Sequence, residues 1–196
     1  SGNTIVVGAY RWYAAGSDRV YPGAVFVFST ADCGNSWSEP VMLTDPNSTS
    51  RENHDDEFGM SVAIDGDTIV VGARKWDDPN PEAKGDEGCA LVFRRNAETG
   101  LFTENQVPEQ RLTHNSYPEA YIADRRGSNF GAAVAIEGDV IIISAPMFPF
   151  SQSDGHTQAQ NSGRVFVYTR NSNDLWIEQQ QLVIDGKTCS WGTGRD

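Results

Sequence analysis

The side chains able to do chemistry in this 196-residue chain collect in stretches broken by Gly, Pro, Asn and Asp. Two acid clusters stand out: Glu52, Asp55, Asp56 and Glu57, then Asp77, Asp78, Asp86 and Glu87. Carboxylates at that density are the oxygen donors a hard cation requires, so calcium is the one cofactor they suggest. Its candidate ligands are Asp55, Asp56, Glu57, Asp77, Asp78 and Asp86. Lys75 and Lys84 sit within the second cluster and weaken it, and acid runs ordinarily face solvent. Asp65-Gly66-Asp67 and Glu137-Gly138-Asp139 are too short to wrap an ion and predict hairpin turns instead.

Aromatic side chains occupy the same kind of stretch. Tyr10, Trp12, Tyr13 and Tyr21 form one group, Trp76 stands alone, Phe148 and Phe150 form a third, and Tyr117 and Tyr121 a fourth. Exposed Tyr and Trp anchor protein interfaces, and their faces stack on sugars. These nine are therefore the candidate partner contacts; the competing reading folds them back over the strand ends. His54, His114 and His156 fall in loops far apart in sequence and read as surface residues. No Gly-x-Ser-x-Gly elbow, HExxH or phosphate-cradling loop occurs, so no enzymatic activity is expected. Cys33, Cys89 and Cys189 cannot all pair within one chain and form no CxxC. Asn47-Ser48-Thr49 is a glycosylation acceptor in a polar stretch.

Charge narrows the partners. With 27 acidic against 15 basic side chains, a net charge of −12 repels phosphate backbones and argues against nucleic acid. No apolar run is long enough to be a transmembrane helix, and Ser1-Gly2-Asn3 opens no signal peptide.

The elements that position these residues repeat. Gly66-Asp67-Thr68-Ile69-Val70-Val71-Gly72-Ala73 recurs at Gly2-Asn3-Thr4-Ile5-Val6-Val7-Gly8-Ala9 and, more loosely, at Gly138-Asp139-Val140-Ile141-Ile142-Ile143-Ser144-Ala145. Phe58-Gly59-Met60-Ser61 precedes one copy and Phe130-Gly131-Ala132-Ala133 another. An alternating run follows each: Ala24–Phe28, Cys89–Phe93 and Arg164–Tyr168. Each unit then closes with an aromatic, Trp37, Phe102 or Trp176, which its recurrence marks as packing. Short β-branched runs bounded by turn residues are strands, and nothing carries a helical period. Four antiparallel strands per unit make an all-β chain of β-propeller blades.

The Phe58-Gly59-Met60-Ser61 and Val71-Gly72-Ala73 phrases resemble the FG-GAP repeat of integrin alpha-subunit heads, in the variety without a calcium loop in the hairpin. The resemblance implies a β-propeller segment of four-stranded antiparallel blades, three of them recognisable, within a ring of about seven. Residues 1–57 would be an incomplete blade (strands 2–4) with its linking loop. Residues 58–129 and 130–190 would be a second and a third, and 191–196 the start of another. Three blades do not close a ring, so further blades of the same protein, or other copies of it, are expected partners. The resemblance implies that the long connections, Tyr10–Pro22, Arg74–Glu87, Pro146–Ser162, Thr44–Glu57, Thr113–Asn129 and Val183–Ser190, would gather on one face, leaving tight turns on the other. The expected function is a non-enzymatic, extracellular or cell-surface recognition and adhesion module that binds a protein or glycan through the long-loop face. The alternative is a structural building block of an extracellular assembly, its open strand edges pairing with neighbours.

Overall fold

The structure, a computed structural model, describes residues 2–13, 22–48, 55–77, 85–114, 127–150, 160–161 and 163–183. Because apolar side chains alternate along each run, every strand offers one apolar row to each side, and the strands assemble into sheets that stack face to face. The first sheet has three strands, β1 (Thr4–Ala9), β2 (Ala24–Ser29) and β3 (Val41–Leu43). In the second, β4 (Phe58–Asp65), β5 (Thr68–Ala73), β6 (Cys89–Arg94) and β7 (Gln110–Leu112) lie in chain order. The third comprises β8 (Val134–Glu137), β9 (Val140–Ala145), β12 (Arg164–Arg170) and β13 (Trp176–Leu182). A two-stranded ribbon, β10 (Pro149–Phe150) and β11 (Gln160–Asn161), rises from its long connection. All pairings within sheets are antiparallel, and no helix occurs among the described residues. These are blades.

The hairpin turns expected at Asp65-Gly66-Asp67 and Glu137-Gly138-Asp139 are present. Gly66-Asp67 and Gly138-Asp139 form the two-residue turns, and the glycines adopt φ of +53° and +54°. A side chain resists that left-handed geometry, so glycine is placed where the chain reverses.

Two apolar seams hold the sheets together. Val25, Val27 and Leu43 of the first sheet pack with Phe58, Ile69, Val71, Leu91, Phe93 and Phe102 of the second. Val70, Ala90, Val92 and Leu112, from the second sheet's other face, pack with Phe130, Ile141, Ile143, Phe166, Tyr168 and Trp176 of the third. At each seam a glycine meets a glycine: a Cβ on Gly8 would overlap the carbonyl oxygen of Gly59, and one on Gly72 that of Gly131. The repeated glycines therefore permit backbones of adjacent blades to touch. Polar bridges reinforce the second seam. The Gln110 side-chain amide both accepts from Trp176 N (2.9 Å) and donates to Trp176 O (2.8 Å), while Asp65 Oδ2 accepts from Gly138 N at 2.7 Å.

At the tight-turn end of the second and third blades, a guanidinium covers the closing aromatic. Arg95 lies 4.9 Å above the Phe102 ring and bonds Asp67, and Arg170 lies 5.5 Å above Trp176 and bonds Asp139. Phe102 and Trp176 are buried as their recurrence implies, but Trp37 is 40 % exposed. Thr30 explains this correction. It makes the same backbone bond to Asn3 that Arg95 makes to Asp67 and Arg170 to Asp139, but carries no guanidinium to cover the ring.

Candidate functional site

Backbone bonds draw the long connections together. Lys75 N donates to Asp56 O (3.2 Å), Gly127 N to Gly85 O (3.3 Å), Phe130 N to Glu87 O (3.1 Å) and Met147 N to Ser128 O (3.2 Å). The segments entering a blade thus pack against those joining the middle strands of the same blade and of the blade before it.

Among the described residues the acids are not gathered into a cation cage. Asp56 and Glu57 are 2 % and 4 % exposed, turned inward and already partnered. Glu57 forms ion pairs with Arg74 and, at 2.8 Å, with Lys75. Burial opposes its ionisation, yet the two cations hold its carboxyl below the usual range. Asp56 has no such cation in contact: it accepts only from Ser48 Oγ at 2.7 Å. Burial, with Asp45 and Asp77 adding repulsion, pushes its pKa up to about 6. Asp77 Oδ1 accepts from Asp86 N at 2.6 Å, and Glu87 Oε1 from Gly85 N at 3.0 Å. Asp55 is half-buried beside Asp56 in sequence, and Asp86 is exposed with φ +57°. Among the described residues no three acidic, His or Cys side chains are grouped to hold a metal ion. Glu57 is engaged by the cations of its own blade, Asp77 and Glu87 by backbone amides of their own loop, and Asp56 by a hydroxyl. Glu52 and Asp78 lie outside the described residues.

The aromatic candidates divide. Trp76 is 7 % exposed, within the first seam and 4.7 Å beneath the Arg111 guanidinium. Phe148 is fully buried, with His114 at 5.2 Å, Phe166 at 5.6 Å and Arg164 at 4.4 Å from its ring. Both therefore fill the blade tops and offer no face to a partner, which corrects their reading as contacts. Phe150 pairs through its backbone with Gln160. Tyr10, Trp12 and Tyr13 remain toward the surface. Tyr13 is 48 % exposed; Tyr10 is half-buried with the Arg11 guanidinium 5.4 Å from its ring. Trp12 leans edge-on against Phe26 at 6.3 Å. Tyr21, Tyr117 and Tyr121 lie outside the described residues. Asn47 is exposed in a turn that the Asp45 carboxylate caps through Asn47 N at 2.9 Å.

His114 is not a surface residue. It is 2 % exposed, and its Nε2 lies 2.8 Å from Ser128 Oγ among Phe130, Phe148 and Phe166. The pair resembles a base and nucleophile, but Ser128 Oγ donates its proton to Glu87 O at 2.6 Å. The hydroxyl therefore accepts from the imidazole, the reverse of what activation needs. His54 and His156 lie outside the described residues.

Sequence reasoning missed a buried polar knot at the first seam. Arg111 Nη2 donates to both oxygens of Asp45, at 2.7 and 2.9 Å, and Nη1 to Cys89 Sγ at 3.0 Å. Burial pushes the Cys89 thiol far above its ordinary value, so it is no nucleophile. Cys33, the other free thiol among the described residues, is exposed. Asp45 and Arg111 are 66 residues apart, and no local motif announces their pairing. The tight-turn face holds a groove of about 450 Å³ lined by Asp65, Asp67, Arg94, Arg95, Asn96 and Arg170. Its arginines are engaged by Asp67, Glu109, Asp139 and Asp174, so it locks turns together.

A family model described as FG-GAP repeat matches residues 37–93 and 125–168, together just over half of the chain. No curated protein matches it.

Proposed function

From its membership of the FG-GAP repeat family, and hence of the integrin-like β-propeller modules, we propose that this chain acts by recognition rather than catalysis, binding a protein or glycan at the cell exterior. The observation that carries the reading is the aromatic run Tyr10, Trp12 and Tyr13 on a loop whose base is tied down, Trp12 N donating to Ala9 O at 2.9 Å and Gly23 N to Trp12 O at 3.2 Å. A rigid sheet end that carries partly exposed rings can bind without first ordering a loop. Exposed Arg11 adds a cation to a chain of net charge −12 and suits an acidic group on the partner. Asn47, exposed on the same end, is a site for a glycan of the protein's own. No described helix is long and apolar enough to cross a membrane.

Binding to an array of acidic and neutral glycans and of extracellular protein domains tests this. Tyr13→Ser and Tyr10→Ser should each weaken the captured interaction at least about tenfold, as for a central interface aromatic, with the melting temperature unchanged. Undiminished binding by both variants would overturn the assignment.

A further inference from the structure

The groove at the tight-turn end lies between the second and third sheets. At the first seam the arginine beyond the blade's third strand reaches across: Arg95 Nη2 donates to Thr4 Oγ1 of the neighbouring sheet at 3.0 Å. At the second seam its counterpart Arg170 is drawn to Asp139 at 2.7 Å and Asp174 at 3.9 Å, both on its own sheet. Space of about 450 Å³ stays open between Arg170 and the Asp65–Thr68 turn, with Arg94, Arg95 and Asn96 on its walls.

Those walls are rigid and not fully used. Arg95 is held by Asp67 Oδ1 and Gly100 O, both at 3.1 Å, and Arg94 by Glu109 and Asp174. Asp65 Oδ2 ties the second sheet to Gly138 N of the third. Asn96 Oδ1 accepts from Glu98 N and Thr99 N, both at 2.9 Å. A ligand therefore meets these groups already in place, without the entropic cost of ordering them. Among the described residues, Asp65 and Asp67 each engage one side-chain oxygen and keep the other, and the Asn96 amide nitrogen has no acceptor.

The mixture of signs selects the ligand. Arg94, Arg95 and Arg170 repel a cation, while Asp65 and Asp67 repel an anion. Each guanidinium also has a carboxylate partner that an anion would have to displace. A hydroxyl group both donates and accepts, so it suits spare carboxylate oxygens on one wall and an amide donor on another. The volume falls in the lower part of the range of small-molecule sites, about 300–1,000 Å³, and suits one or two sugar rings.

We infer that this groove is a further binding site, for a neutral saccharide whose adjacent hydroxyls bridge the Asp65–Asp67 turn and Asn96. It goes beyond the recognition reading and is separable from it. Tyr10 and Tyr13 follow the end of β1, whereas the groove lies at the turn that starts β5, at the opposite end of the sheets.

The test is titration of the whole chain with glucose, galactose, mannose, N-acetylglucosamine and lactose, read from the amide NMR signals of Gly66, Asn96, Gly100 and Gly138. At least one sugar should shift them with a dissociation constant of about 0.1–10 mM, the range a few neutral hydrogen bonds support. Asp67→Asn keeps an oxygen for Arg95 but removes a spare acceptor, and Ala97→Trp sets a bulky ring on the groove wall. Each should weaken binding at least about fivefold, and Tyr13→Ser should leave it unchanged. Melting curves verify folding, and Asp67→Asn, at a side chain 74 % exposed, decides the matter if Ala97→Trp does not fold. No shift from any of the sugars at about 50 mM overturns the proposal. Glycerol binding as tightly as the sugars also overturns it, because the groove would then be unselective. Glucuronate or glucosamine binding at least about tenfold more tightly than glucose overturns the neutral assignment. Binding that both groove variants leave intact overturns the location, and sugar binding lost in Tyr13→Ser instead assigns the glycan to the long-loop end.

Discussion

Asp56 is a carboxylate placed where ionisation is disfavoured, and neutralising it should stabilise the protein only where it is ionised. Burial and the neighbouring Asp45 and Asp77 raise its pKa from 3.8 to about 6. Between those values the native state keeps a proton that the unfolded chain has released. Stability from this group is therefore whole below pH 4 and falls as pH rises, by about 1.4 kcal/mol per unit, levelling off above pH 6. The displacement of about two pH units corresponds to at most about 3 kcal/mol. In Asp56→Asn the amide oxygen can still accept from Ser48 Oγ, but the charge is gone. At pH 7.5 the variant should be the more stable by up to about 3 kcal/mol, or about 6–12 °C in melting temperature for a chain of this size. At pH 4 the two should melt together. Thermal unfolding followed by circular dichroism from pH 4 to pH 8, with monovalent salt held fixed, reads the difference directly. A gap of equal size at both ends of the range would refute the argument. So would a variant less stable at neutral pH, because that would make the charge on Asp56 a net attraction to Arg111 that outweighs its burial.

Two further perturbations probe the seams. Gly72→Ala puts a methyl group onto the carbonyl oxygen of Gly131, so the second and third sheets must part; a loss of about 1–3 kcal/mol is expected in denaturant melts, and a loss below about 0.5 kcal/mol would mean the seam yields freely. Asp45→Ala strands Arg111, whose side chain is only 18 % exposed, and should cost about 3–5 kcal/mol, whereas Arg111→Met combined with Asp45→Leu should cost markedly less than the sum of the single changes.

The strands were legible because their information is local and repeated. Alternation sets which faces are apolar, and the glycine phrases mark where blades touch, so comparing Val71-Gly72-Ala73 with Val7-Gly8-Ala9 carries the architecture. What a loop residue does was not legible, since its surroundings come from other blades. His114 and Phe148 read as surface groups one at a time, yet each is enclosed by Phe166, which lies in a different strand. Trp76 is covered by Arg111 from the outermost strand of its blade, and Glu57 finds Arg74 and Lys75 only because β4 and β5 fold back on each other. Spacing along a chain gives the density of carboxylates, while a cation responds to their convergence in space; among the described acids, Glu57 meets Arg74 and Lys75, and Asp77 and Glu87 meet backbone amides.

Trp37 shows that even repetition has to be read with its neighbours. Its position matches Phe102 and Trp176, and the strand before it ends alike, but the residue that should cover it is Thr30 where the other blades have Arg95 and Arg170. A ring is buried by what lies on it, so an equivalent position without its equivalent cover is exposed.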